Sequence, residues 1–148
     1  MNRAAVTEKI LSAKRLKGLS WKSICAEIGG GSATYLTAAC LGQMKLRPEQ
    51  AAKAATLFGL SEEETLLLQE VPYRGSLPTI VPTDPLIYRF YELVNVYGTT
   101  LKELIQEEFG DGIMSAIDFD MAVERQPDRK GDRVKVTMTG KFLDYKEY

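Results

Sequence analysis

Along the first seventy residues the apolar positions recur at helical spacing. Val6, Ile10, Leu11 and Ala13 fall on or beside one stripe of a helix over roughly 3–16. Ser20 is placed to cap a second helix, "WKSICAEIG", buried through Trp21, Ile24, Cys25 and Ile28. "GGGS" interrupts the chain before a third helix, "SATYLTAACLG". "RPEQAAKAATLFG" is a fourth, with Pro48 in its first turn and Gly59 past its end. A short fifth, "SEEETLLLQE", opens on Ser61 with Glu64 at capping-box spacing. Five short helices predict a compact bundle, and residues 1–75 form the first domain.

The connector "VPYRGSLPTIVPTDP", residues 71–85, holds four of the six prolines and reads as an extended linker. Beyond it "DPLIYRFYELVNVYG" and "TTLKELIQEEFG" read as two helices, stopped by Gly98 and Gly110. "IMSAIDFDMAVER" then alternates, which sends Ile113, Ser115, Ile117, Phe119, Met121 and Val123 to one face of a strand. A charged turn, "RQPDRKGDR", leads into a second alternating stretch, "RVKVTMTG". The predicted fold class is therefore α+β: an N-terminal five-helix bundle, then a helix pair with a β-hairpin over residues 76–148. Two strands alone are marginal in water. The second domain is accordingly expected to pair with a partner subunit, making the protein a homo-oligomer.

Composition narrows the class further. With 148 residues, 45% hydrophobic and 26% charged, the chain sits among soluble globular proteins. Its apolar runs fall short of the ~18–20 residues that cross a bilayer, and its N-terminus lacks an apolar secretory core. A cytoplasmic location and no membrane partner follow as expectations. Cys25 and Cys40 stand in helical apolar contexts without metal-ligand spacing and are read as free thiols. The chain has no histidine, which excludes a Ser-His-Asp triad, a Cys-His pair and any metal site built on imidazole within it. Proton transfers must then use carboxylate, lysine, tyrosine or the substrates themselves.

Charge separates the two halves. Residues 1–79 carry 10 Lys+Arg against 7 Asp+Glu, net +3; residues 80–148 carry 9 against 13, net −4. Helices two and three have the layout of a helix-turn-helix, as in repressor-type DNA-binding domains. A recognition helix reads bases with Arg, Lys, Asn or Gln. This one offers Ser32, Thr34, Tyr35 and Thr37, with no basic residue, and the whole chain carries −1. Assembly is the preferred role, with no nucleic-acid partner; a helix-turn-helix DNA-binding regulator with a C-terminal dimerisation domain is the alternative.

The chemistry-bearing residues lie in the second half. On a wheel of residues 85–98, Leu86, Phe90, Leu93 and Tyr97 form one apolar stripe, and Ile87, Tyr91 and Val94 a second. Arg89 and Glu92 occupy the remaining strip, three residues apart on the same side. They can be an exposed pair worth ~0.2–0.5 kcal/mol. They can also be charges held in a partly dry pocket, where an arginine fork binds an anion and a carboxylate offers proton chemistry. The residues leave both readings open. Gly110-Asp111-Gly112 predicts a tight turn with backbone N–H groups available to an anion. Ser115 follows as either a satisfied small hydroxyl or a donor aimed at substrate.

"YRFYELVNVYGTTLKELIQEEFGDGIMSAIDF" followed by "GKFLDY" resembles the C-terminal catalytic domain of the cyanases, and the likeness runs back through "VPTDP" and "LLLQEVPYRG" to "TAACLGQ". It covers nearly the whole chain. "YRFYE" and "FGDGIMSAI" at this separation are its specific motifs; Ser76, where some relatives carry cysteine, is one departure. The resemblance implies a lyase that converts cyanate and bicarbonate to ammonia and carbon dioxide by way of carbamate. Bicarbonate is then a co-substrate, and no metal or organic cofactor is needed. It implies catalytic roles for Arg89, Glu92 and Ser115. It also implies a homodecamer, a ring of five dimers, with sites at subunit interfaces.

Overall fold

A computed structural model describes residues 2–147 of the chain. Its secondary structure is α+β, with six helices and one two-stranded antiparallel sheet among the described residues. The chain divides into two compact units, Met1–Ser76 and Leu77–Tyr148.

The first unit holds α1 (Arg3–Leu16), α2 (Trp21–Ile28), α3 (Ala33–Cys40), α4 (Pro48–Phe58) and α5 (Glu62–Leu67). Each start is chemically marked. Asn2, Ser20, Ser32 and Ser61 accept N–H groups of the first turns of α1, α2, α3 and α5. Pro48 begins α4, and Gly59 ends it in the left-handed region at φ 66°, ψ 46°. Side chains from α1 to α4, the loops beside them and Leu68 just past α5 make one core: Val6, Ile10, Ile24, Cys25, Ile28, Leu36, Ala39, Cys40, Leu46, Ala51, Ala54, Phe58 and Leu68. Trp21, expected inside, packs only at the edge of this core. Both cysteines are buried free thiols, and burial pushes Cys40 up to about 12, so it stays protonated and inert.

One charged pair crosses this unit. Lys9 Nζ on α1 donates to Glu64 Oε2 on α5 at 2.6 Å, and the same oxygen accepts the Ser61 N–H at 2.6 Å. The Lys9 hydrogen bond, then that of Ser61, holds the Glu64 carboxyl below the usual carboxylate range. The capping box is thus also a tie between the first and last helices.

The second unit differs from the sequence expectation at its start. The segment expected as a helix pair is one helix, α6 (Pro85–Phe109), 25 residues long and running straight through Gly98. A single glycine costs a helix interior only ~0.5–1 kcal/mol. Gly98 keeps a negative φ and no proline follows it, so nothing terminates the helix there. Gly110, at φ 94°, is the stop.

The hairpin consists of β1 (Gly112–Gln126) and β2 (Arg133–Asp144), joined by a turn tied by Arg125–Asp132 and Arg133–Asp128 ion pairs at 2.8 and 2.9 Å. Its register runs from Gln126↔Arg133 to Phe119↔Gly140, breaks, and resumes at Met114↔Phe142. Four residues of β1, Ser115 to Asp118, therefore oppose the single residue Lys141 of β2. Three extra residues are an odd number, so the bulge inverts the alternation. Phe119 then lies on the face of Met114, across the sheet from Ile113. The expected single face running from Ile113 to Val123 is corrected accordingly.

Among the described residues the second unit has no apolar core of its own. No residue of α6 is buried, and Leu86, Phe90, Leu93, Val94, Val96, Tyr97 and Leu104 are all exposed. The helix touches the sheet chiefly at its end, where Phe109 stacks on Phe142 with centroids 5.1 Å apart.

Candidate functional site

Asp84 sets the helix that carries the first two candidates. Its Oδ1 accepts the N–H groups of Leu86 and Ile87, both at 2.9 Å, and Pro85 takes the first helical position. One turn later Arg89 Nη1 meets Glu92 Oε2 at 3.4 Å. Arg89 is 64% and Glu92 51% exposed, so within one chain this is a loose surface pair. Aromatic rings frame it. Tyr88 lies 5.9 Å from the Arg89 guanidinium and 5.8 Å from Tyr91. A guanidinium has five N–H donors, and Glu92 engages one of them at long range. Most of the fork remains available to a planar anion.

Ser115 is placed by the bulge. It is 5% exposed, the one buried polar side chain among the described residues of the second unit. Its Oγ accepts N–H groups from Ile117 at 3.0 Å and Asp118 at 2.9 Å, closing a tight turn within β1. The partners are N–H groups, so the hydroxyl is satisfied as an acceptor and not as a donor. A hydroxyl has two acceptor lone pairs and one proton. Both lone pairs are occupied, so the proton is what Ser115 has left to offer. Two N–H dipoles directed at Oγ polarise it further and make it a better donor.

The structure brings Arg89 and Glu92 together and joins neither of them to Ser115 by a hydrogen bond or ion pair. The Gly110–Gly112 turn also does less than expected. The Gly110 N–H is taken by the Gln106 carbonyl at 2.9 Å, so it caps α6 and is not free to bind an anion.

The close backbone approach at two glycines is not part of the sequence reading, which places Gly112 only in a turn and gives Gly140 no role. A Cβ on Gly112 would stand 2.3 Å from the Leu143 carbonyl oxygen, and one on Gly140 would stand 2.3 Å from that of Ser115. The available signal was Gly140 inside "TMTGKF", because a glycine within a strand marks a bulge or a close backbone approach.

A cleft of about 500 Å³ in the first unit is lined by Arg3, Thr7, Gln43, Tyr73 and neighbours, none of them a candidate. Among the described residues no group of three His, Cys, Asp or Glu side chains is placed to hold a metal ion, and no helix is long and apolar enough to cross a membrane.

Comparison with known proteins covers both units. Residues 3–72 match the family model described as cyanate hydratase, N-terminal, and residues 79–147 match the cyanate lyase C-terminal domain. Cyanate hydratases of Albidiferax ferrireducens and Methylibium petroleiphilum are each 63% identical over 148 residues, covering all of both chains. A crystal structure of cyanase from T. urticae superposes with a TM-score of 0.81 at 37% identity, covering 94% of this chain and 96% of that one. The regulator reading finds no support among these relatives.

Proposed function

The chain belongs to the cyanate hydratase family and is a lyase acting on cyanate; from that premise we propose that it condenses cyanate with bicarbonate at a site built from Arg89, Glu92 and Ser115. The observation that carries the site is α6. Its Arg89–Glu92 pair stands on a helix with no buried residue, whose large apolar side chains, half-buried Ile105 apart, are all exposed within one chain.

The chemistry follows from two small anions meeting. A bicarbonate oxygen attacks the cyanate carbon, and the bicarbonate proton passes to nitrogen, leaving a dianionic adduct. One further proton on nitrogen accompanies cleavage of the bond between the bridging oxygen and the bicarbonate carbon. Carbon dioxide leaves, and the released carbamate takes a proton from water and decomposes to ammonia and a second carbon dioxide without further catalysis. No metal or organic cofactor takes part, and none of these steps needs a histidine. The protein must offset like-charge repulsion and fix the geometry. Arg89 offsets the repulsion through its open fork. Ser115 donates its remaining proton to an anion oxygen or nitrogen, and is not a nucleophile, because both its lone pairs are engaged. Glu92 either holds Arg89 in place or relays the proton. Glu92→Gln separates the two, since an amide keeps a hydrogen bond to arginine and cannot relay.

Assembly completes the site. An exposed helix with two apolar stripes, and a bulge whose tip Ile117 is 98% exposed, are surfaces that a second copy covers. A homodecamer of five dimers, with sites at subunit interfaces, is the proposed arrangement. Desolvation there turns a loose surface pair into an anion site, since charges interact more strongly as water is excluded. The cytoplasm is the proposed compartment. The first test is ammonia release from cyanate with and without bicarbonate. Release that depends on bicarbonate and falls ~10²–10³-fold in Arg89→Leu is expected. No release with both anions present would sink the reading.

A further inference from the structure

The geometry points to Gly140 as a positioning residue for Ser115, acting by leaving room for the β1 bulge to close. This rests on the reading of Ser115 as the substrate-facing donor. Glycine at 140 is not explained by backbone conformation, because it is absent from the glycines with positive φ. It is explained by space. A Cβ there would lie 2.3 Å from the Ser115 carbonyl oxygen and 2.6 Å from Met114 Cγ. Gly140 pairs with Phe119, the first β1 residue beyond the bulge, so β2 passes directly against the peptide that carries Ser115.

The two overlaps differ in kind. Met114 has a flexible side chain that can swing away. The Ser115 carbonyl belongs to the backbone of a turn fixed by the Ile117 and Asp118 N–H groups. To restore a 3.0 Å contact that carbonyl must retreat by about 0.7 Å, and the hydroxyl moves with it. Misplacement of a positioned group by ~1 Å costs on the order of 10²-fold in rate. A buried donor loses more through such a shift than a mobile surface side chain, because nothing lets it swing back.

The test is a double-mutant cycle in the full assembled enzyme, with oligomer mass and circular dichroism recorded for every variant. Gly140→Ala is expected to assemble normally and to lose about 10–100-fold in kcat, with a smaller change in KM for cyanate. In a Ser115→Ala background the same substitution is expected to cost nothing further. Met114→Ala is expected not to rescue Gly140→Ala. Multiplicative losses in the double variant would overturn the assignment. So would unchanged kcat, recovery on Met114→Ala, or a Gly140→Ala chain that fails to assemble, which would make Gly140 a folding residue. Full turnover in Ser115→Ala alone would instead bring down the reading of Ser115 itself.

Discussion

The two units solve opposite problems with similar material. The first, of 76 residues, closes five short helices over thirteen buried apolar side chains and ties its first helix to its last through Lys9 and Glu64. The second is nearly as long and as rich in Leu, Ile, Phe and Tyr, yet among the described residues buries none of them. Exposed apolar area of this extent marks a surface that another molecule covers. The difference teaches where function resides. The self-contained unit carries no candidate residue, and the incomplete unit carries all three. Under the proposed function, assembly between copies would suit a site for two small anions, because closure expels water at the same moment that it brings charges together.

Substitutions can break or sharpen this contrast, and the largest effect is expected in the incomplete unit. Arg89→Leu should abolish most turnover while leaving the melting temperature of the assembly within a few degrees, because the pair is loose within the chain. Steady-state kinetics beside calorimetry separates the two. Next comes Leu93→Ala on α6. Leu93 is 47% exposed in the single chain, where truncation would cost within about 0.5 kcal/mol. Covered by a partner it should cost ~2–5 kcal/mol, read as a concentration-dependent loss of mass and activity. Leu36→Ala should cost a similar ~2–5 kcal/mol in the first unit, independent of concentration, since its core is local.

Smaller effects test details. Gly98→Ala should raise stability by ~0.5–1 kcal/mol, because the added Cβ meets only Val94 Cγ1 at 3.8 Å. Destabilisation there would reveal another copy pressing on the helix at that point. The Glu64 carboxyl has a folded-state pKa below its unfolded value. Its contribution is therefore fully present above the unfolded pKa of ~4.3 and is lost as pH falls through the lower folded value. Thermal melts from pH 6 downward should show Glu64→Gln losing less stability on acidification than the parent.

Most of the first unit was legible in the sequence, because caps and apolar spacing there agree with each other. Ser20, Ser32, Ser61, Pro48 and Gly59 each stand where a helix starts or stops. The second unit was less legible. In the sequence Gly98 reads as a stop, although a single glycine with helix-compatible neighbours is only a modest cost. The bulge was invisible to period-two counting, since it arises from Gly140 on the opposite strand and from hydrogen bonds that Ser115 makes locally. Arg89 and Glu92 were visible as a pair. Their role was not, because within one chain the two side chains stay 64% and 51% exposed and nothing there marks them apart from an ordinary surface pair.

The dependence of the site on assembly is tested most directly by measuring ammonia release per chain across a dilution series, with molecular mass determined at each concentration by sedimentation. Turnover per chain should fall in step with dissociation and vanish in the monomer. A monomeric species with undiminished bicarbonate-dependent turnover would contradict it.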